Sequence, residues 1–168
     1  MTSKHQIAYL ETPLGTLAIE GSEHGLTRIS LLPTDVLPLS LKPALGSVAA
    51  RAVEQLGEYF NGERHTFDLP LDYKVRGFKR RVLDELTRVP YGQTVSYSEL
   101  AALAGSPLAA RAVGSIMRQN PLVIVIPCHR VIGPRGSLRG YSGLGLGLDH
   151  KRWLLEFEVT SPTSSASR

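Results

Sequence analysis

The sequence contains one cysteine, Cys128, among 168 residues. A single cysteine excludes an internal disulfide framework and any zinc site built from several cysteines, and we expect no metal site. A free thiol is typical of a reducing compartment, so the sequence predicts a cytoplasmic protein.

Long apolar runs are also missing. No stretch approaches the about 20 residues that a membrane-spanning helix needs, and residues 1–5 lack the apolar core of a signal peptide. With 42% hydrophobic and 20% charged residues, the composition is that of an ordinary globular chain. We therefore expect no membrane partner, and one domain or two small ones.

Negative charge is scarce in the second half of the chain. Residues 1–77 hold seven Lys and Arg against nine Asp and Glu, a net charge of −2, whereas residues 78–158 hold eleven against six, a net charge of +5. A polyanion would dock on the basic half, and phosphate contacts would make its binding salt-dependent. The alternative is a solvated basic surface that has no partner.

The first half of the chain predicts a small sheet with one helix. Apolar alternation and turn residues indicate strands at 6–10, 16–20 and 26–32, and Ser47 is the N-cap of a helix that ends at Asn61-Gly62. A further strand is predicted at 66–71. This half shows no catalytic motif, and we expect a domain at 1–72 and a linker at 73–77.

The second half predicts a helix-turn-helix. A helix begins near Phe78, and Ser96 with Glu99 forms a capping box for the next helix. Gly105 ends that helix, and Ser106 caps another with Pro107 at its first position. The last of these helices has a face of small residues: Ala109, Ala110, Ala112, Gly114 and Ser115. Two short helices joined by a glycine turn are typical of nucleic-acid-binding proteins, although a plain helical corner has the same pattern.

Cys128 follows a bend. The apolar run 122–126 predicts a short buried element, Pro127 breaks it, and His129 comes next to the thiol. A thiol with a free pKa of about 8.5 needs a base, a positive charge or a helix N-terminus to become a nucleophile. The alternative is a buried structural cysteine. A C-terminal helix follows, for which Asp149 is the predicted N-cap.

Several ordered motifs carry a family resemblance. Pro127-Cys128-His129-Arg130, flanked by Asn120-Pro121, Gly140-Tyr141-Ser142-Gly143, Lys151-Arg152-Trp153 and Glu158, resembles the O6-alkylguanine-DNA alkyltransferase family over residues 78–158. The resemblance implies an α/β (α+β) fold. A small N-terminal sheet-plus-helix domain would precede a mainly helical, winged-helix-like C-terminal domain, and residues 159–168 would be a disordered tail.

The resemblance also implies a chemistry, which is a single-turnover DNA repair reaction without a cofactor. Cys128 would take the alkyl group from O6-alkylguanine, and less well from O4-alkylthymine. His129 would be the general base through a water, Glu158 would orient His129, Tyr97 would rotate the nucleotide and donate to guanine N3, and Asn120 would be a hinge.

The implied partner is double-stranded DNA, bound by a monomer that can cluster on it, in the nucleoid if the host is a prokaryote. The second helix of the helix-turn-helix would enter the minor groove, where Arg111 would replace the flipped nucleotide. Its other DNA-contacting residues would be Ala110, Ala112, Gly114 and Ser115. The guanine pocket would be lined by Met117, Val131, Tyr141 and Ser142.

Two other functions fit the same residues. One is a lesion-binding alkyltransferase-like recognition module that transfers nothing, although such modules replace the cysteine that this chain retains. The other is a Cys-His hydrolase or redox thiol protein, which would need an oxyanion hole or a resolving cysteine.

Overall fold

The structure is a computed structural model that describes residues 5–36, 38, 42–138 and 145–161. It divides into two compact units, one of the residues up to Tyr73 together with Ser161 and the other spanning Lys74–Thr160. The predicted α/β class is confirmed: within the described ranges the first unit contains a three-stranded sheet and one α-helix, and the second contains four α-helices. Among the described residues, no helix is both long and apolar enough to cross a membrane.

The N-terminal unit is an antiparallel sheet covered by a helix. Strands β1 (Gln6–Thr12), β2 (Gly15–Ser22) and β3 (Gly25–Leu31) lie in sequence order, and α1 (Val48–Phe60) packs on them. Ser47 caps α1 by accepting from the Ala50 backbone N–H at 3.1 Å. The three strands and the helix are as the alternation of apolar residues predicts.

The strand predicted at 66–71 is wrong. That segment makes only one isolated bridge, between Leu26 and Leu71, with the Pro70 carbonyl accepting from Leu26 N–H at 2.8 Å. Two facts prevent a ladder: Pro70 has no N–H to donate, and the Asp68 N–H bonds the Gln55 side chain at 2.9 Å.

The C-terminal unit begins with α2 (Gly77–Thr87) and continues through the two-residue strand β4 (Val95–Ser96) into α3 (Tyr97–Leu103). Both bonds of the predicted capping box are present, Ser96 accepting from Glu99 N–H and Glu99 from Ser96 N–H. Gly105 has φ +91°, the left-handed conformation that ends helices on glycine.

The next helix, α4 (Ala110–Arg118), begins three residues later than predicted. Ser106 does not cap it, because the Ser106 carbonyl accepts from Ala109 N–H at 2.9 Å and closes a separate turn that contains Pro107. The N-cap of α4 is Ala109, which has no side chain for capping. The turn between α3 and α4 is therefore longer than the sequence indicated.

Residues 122–126 are buried as predicted but they form a turn, not an extended segment. Ile126 N–H donates to Leu122 O at 2.8 Å, and Ile124 has φ +73°, which is rare for a β-branched residue. A 3₁₀ turn (Cys128–Arg130) and strand β5 (Val131–Ile132), parallel to β4, follow.

The last helix, α5 (Leu148–Thr160), begins before Asp149, so Asp149 lies in its first turn and is not the N-cap. His150 Nδ1 accepts from Gly147 N–H at 2.9 Å and so bonds a backbone donor at the helix start instead. The helix also continues through Val159 and Thr160, which were predicted to belong to the tail; residues 162–168 lie outside the described residues.

Candidate active site

Cys128 opens the 3₁₀ turn directly after Pro127 and is 1% exposed. The buried Asn120 side chain ties the preceding turn together: its amide donates to Ile126 O at 2.8 Å and its oxygen accepts from Leu122 N–H at 2.9 Å. Asn120 therefore connects the end of α4 to the cysteine segment, and its role as a hinge stays a prediction.

His129 and Glu158, 29 residues apart in sequence, are in direct contact. His129 Nε2 lies 2.6 Å from Glu158 Oε1, and both side chains are almost fully buried. Because an ionised carboxylate can only accept, Nε2 carries the proton and Nδ1 holds the lone pair. Among the described residues, no hydrogen-bond partner reaches His129 Nδ1. This nitrogen is therefore able to act as a base.

The electrostatics keep this histidine neutral. Burial lowers the pKa of His129 below its usual value, and the charges of Arg130 and Lys151 act in the same direction, although the bond to Glu158 opposes them. For Glu158, burial raises the pKa, but the hydrogen bonds from His129 and Arg130 and the charge of Arg130 outweigh it and hold that pKa well below its usual range. The pair is therefore a neutral imidazole beside a carboxylate.

Lys151 lies at the site, although the sequence motif that contains it predicts no role for it. Its side chain is buried, its ammonium donates to the Val131 carbonyl, and it lies 5.8 Å from the centre of the Tyr97 ring. Burial lowers the pKa of Lys151 to about 8, while negative charge on Cys128 acts to raise it. A cation so placed stabilises a thiolate. The one available signal was spacing, because Lys151, Leu154 and Glu158 share one face of α5.

Tyr97 lies between the buried Cys128 and a surface groove on α4. Burial is the main cause that raises the pKa of Tyr97, with negative charge on Cys128 adding to it and Arg118 opposing it, so the phenol keeps its proton. The tyrosine lines this groove of about 620 Å³. The other residues of this groove are Ser98, Ala110, Arg111, Gly114, Ser115, Arg118, Gly133 and Pro134.

The groove brings together most of the residues predicted to contact DNA. Ala112 is exposed on α4 but is not part of the groove lining. Arg118, which sequence reasoning did not single out, lies two helical turns after Arg111, a spacing of seven residues that puts both on one face.

The predicted guanine pocket is described only in part. Met117 and Val131 are both buried, and the Val131 carbonyl already accepts from Lys151. A carbonyl has two lone pairs, so Val131 can still accept another donor. Tyr141 and Ser142 lie outside the described residues.

Taken together, these residues can carry out nucleophilic substitution. The site contains the buried thiol of Cys128, the neutral imidazole of His129 with a lone pair on Nδ1, the ammonium group of Lys151 and the protonated phenol of Tyr97. Beside it lies the groove on α4, which is lined by two arginines and by small residues. The guanidinium groups can bind phosphate oxygens, and the small residues of α4 allow its backbone to come close to a phosphate-bearing partner.

Comparison with protein-family models gives two matches. Residues 77–160 match the 6-O-methylguanine DNA methyltransferase DNA-binding domain, and residues 7–73 match the ribonuclease-like domain of the same family.

The chain is similar to curated proteins over most of its length. It is 45% identical over 150 residues to a methylated-DNA–protein-cysteine methyltransferase of Mycolicibacterium paratuberculosis, with 89% of both chains covered. It is 44% identical over 158 residues to the constitutive enzyme of that name from Bacillus subtilis, with 90% and 93% covered. Its structure is similar to the crystal structure of Mycobacterium tuberculosis OGT in complex with DNA, with a TM-score of 0.79, 40% identity and coverage of 95% and 96%.

Proposed function

Because the chain belongs to the 6-O-methylguanine DNA methyltransferase family, we propose that it repairs DNA by moving the alkyl group from O6 of guanine, and less well from O4 of thymine, to its own Cys128. Two matched domains and relatives more than 40% identical support this assignment. The buried lone thiol supports Cys128 as the acceptor.

The observation that carries the proposed chemistry is the 2.6 Å contact between His129 Nε2 and Glu158 Oε1. It leaves Nδ1 of a neutral imidazole, in the residue next to Cys128, to take the thiol proton through a water. Glu158 is a positioning residue in this scheme, because it fixes the tautomer and touches no reacting atom.

The transfer itself is a displacement at the alkyl carbon. The Cys128 thiolate forms the new S–C bond as the C–O6 bond breaks, and the electron pair of that bond remains on guanine. Tyr97 donates its proton to guanine N3, and the ammonium of Lys151 stabilises the thiolate before attack. The thioether has no ready leaving route, so each molecule reacts once.

The substrate must leave the duplex to reach a cysteine that is 1% exposed. We propose that α4 enters the minor groove with its small residues Ala110, Ala112, Gly114 and Ser115 against the sugar walls. Arg111 fills the space of the flipped nucleotide, with Met117, Val131, Tyr141 and Ser142 around the base. Asn120 couples α4 to the cysteine turn as a hinge. In this scheme the protein acts as a monomer in the cytoplasm, with or without clustering on DNA.

Intact-protein mass spectrometry after mixing with duplex DNA that carries one O6-methylguanine tests the proposal. We expect a gain of one methyl group that maps to Cys128 and stops at one equivalent. Cys128→Ala should gain nothing and still bind the lesion. Lesion-selective binding without any gain in the wild type would make the chain a recognition module, and the absence of both would favour a hydrolase or redox thiol protein.

A further inference from the structure

Arg130 is a buried cation at the site that donates from all three of its guanidinium nitrogens. Its Nε and Nη2 both donate to the Glu158 carboxylate, at 2.9 Å to Oε2 and 2.8 Å to Oε1, and its Nη1 donates to the Val89 carbonyl at 2.7 Å. The guanidinium lies 5.8 Å from the centre of the Tyr91 ring. Its side chain is 6% exposed, so these bonds form away from water.

The two oxygens of Glu158 accept from four N–H groups that belong to three residues. Oε1 accepts from His129 and from Arg130 Nη2, whereas Oε2 accepts from Arg130 Nε and from Gly92 N–H at 3.1 Å. The planar fork of an arginine matches both oxygens at once, which a lysine cannot do. The fork and the Gly92 N–H thus fix the plane of the carboxylate, with Oε1 directed at His129 Nε2.

Glu158 needs such a partner because its location opposes a negative charge. It is buried and lies in the last turn of α5, where the helix dipole is unfavourable to an anion. A carboxyl in that setting would tend to hold a proton, and a protonated carboxyl could no longer fix the tautomer of His129.

We propose that Arg130 is a positioning residue for alkyl transfer: its fork holds the Glu158 carboxylate in the single orientation that keeps the His129 proton on Nε2 and the lone pair on Nδ1. This role rests on the proposed function, in which His129 is the base that activates Cys128. Arg130 touches neither the base nor the alkyl group.

The charges around His129 determine how the loss of Arg130 would appear in a pH profile. Lys151 and Glu158 of α5 and Arg130 of the 3₁₀ turn face the imidazole, Cys128 precedes it, and the phenols of Tyr91 and Tyr97 lie near Arg130 and Lys151. Removing Arg130 takes away one of the two cations that disfavour an additional proton on the His129–Glu158 pair. The pair then keeps that proton, on the imidazole or on the carboxyl, to a higher pH, so the acid limb of the rate profile moves upward.

The test is the single-turnover rate with free O6-benzylguanine as a function of pH, which requires no DNA contact. For Arg130→Gln we expect the rate near neutral pH to fall about tenfold or more and the acid limb to rise by about one unit. Arg130→Lys keeps the charge without the fork, and we expect a similar loss of rate with the acid limb within about half a unit of wild type. Arg64→Gln removes another arginine–glutamate pair, to Glu58 at 3.1 Å in the N-terminal unit, and should change neither quantity.

Three results would overturn the role. These are an acid limb in Arg130→Gln that superimposes on that of the wild type, a wild-type rate in Arg130→Gln, or a wild-type rate in Arg130→Lys, which would show that the fork is unnecessary. If Arg130→Gln does not fold, as thermal melts would reveal, the Arg130→Lys rate decides. Failure of the proposed function is distinct, because the wild-type protein would then gain no benzyl group at all, or Cys128→Ala would still gain one.

Discussion

Glu158 carries a negative charge in the interior of the C-terminal unit, and its neighbours make that charge stable. It is 3% exposed and bonded to His129, Arg130 and the Gly92 N–H. A buried carboxylate with such partners is costly to disturb, because removing one charge leaves the other without a partner in a medium of low polarity.

Glu158→Gln should therefore destabilise the protein by about 3–5 kcal/mol at neutral pH. The pKa of Glu158 in the folded state is held below its unfolded value of 4.5, so the stability it contributes is present above about pH 4.5 and is lost as the pH falls below that value. Urea unfolding of both proteins across this range should show the difference shrinking toward acid pH.

Glu58→Gln is the matched control, because it removes a glutamate whose partner, Arg64, is partly exposed. We expect this change to cost less than about 1 kcal/mol at every pH. A Glu158→Gln difference that stays constant down to acid pH would contradict the assignment of the low pKa to Glu158.

The sequence identified some residues of the site more readily than others. Cys128 was evident as the single thiol, whereas Glu158 was identified by resemblance alone. Arg130 and Lys151 were visible in the motifs, but their partners lie 28 and 20 residues away, on Glu158 and Val131. Spacing along the chain does not reveal contacts of this range, since they depend on how α5 packs on the 3₁₀ turn.

At the scale of the element, α4 carries several small residues where it lines the groove, which leaves space next to the helix. A Cβ added at Gly114 would meet the Tyr97 ring at 3.9 Å, an ordinary contact distance. There is thus room for one methyl group at this position, and a longer side chain would project into the groove that Gly114 and Tyr97 line.

Gly114→Ala and Gly114→Leu should consequently separate stability from DNA binding. Alanine should raise stability by up to about 1 kcal/mol through helix propensity and leave binding within a few-fold of wild type. Leucine should keep the helix but weaken binding to lesion-bearing duplex by at least about tenfold, as fluorescence anisotropy would report. Reaction of Gly114→Leu with free O6-benzylguanine serves as the internal control and should be affected much less. Equal affinity of both variants would remove this face of α4 from the interface.

The sequence predicted the start of a helix correctly where a side chain near that start accepts a hydrogen bond from a backbone N–H of the first turn. Ser47 and the Ser96–Glu99 box begin α1 and α3 as predicted, because each bonds a backbone N–H within three residues. The signal at Ser106 was misleading, since a serine followed by proline also suits a turn, and the turn formed.

At the scale of the molecule, positive charge is concentrated in the half that holds the cysteine. Residues 78–158 carry a net charge of +5 and residues 1–77 one of −2. Two arginines of the basic half, Arg111 and Arg118, line the groove on α4, where a phosphate backbone would release counterions on binding.

Binding to duplex DNA should weaken steeply with salt, and Arg111→Ala with Arg118→Ala should flatten that dependence. Each lost phosphate contact lowers the slope of log affinity against log salt by about 0.9, so we expect a change of up to about 1.8 for the pair. Arg28→Ala, an exposed change on β3 in the N-terminal unit, is the control and should leave the slope unaltered. An unchanged slope in the double variant would mean that these arginines face no phosphate.

Local patterns along the chain were enough to predict the three strands, most helix ends and the basic half, whereas the fold class and the role of Cys128 as nucleophile were predicted from the family resemblance. Local patterns act within a few residues, through alternation, capping and turn chemistry, and need no knowledge of distant partners. The left-handed turn at Ile124, the bridge that replaces a strand at Leu71 and the later start of α4 required the folded chain. So did the cluster of His129, Arg130, Lys151 and Glu158, because buried charges are stable only once packing brings their partners together and excludes water.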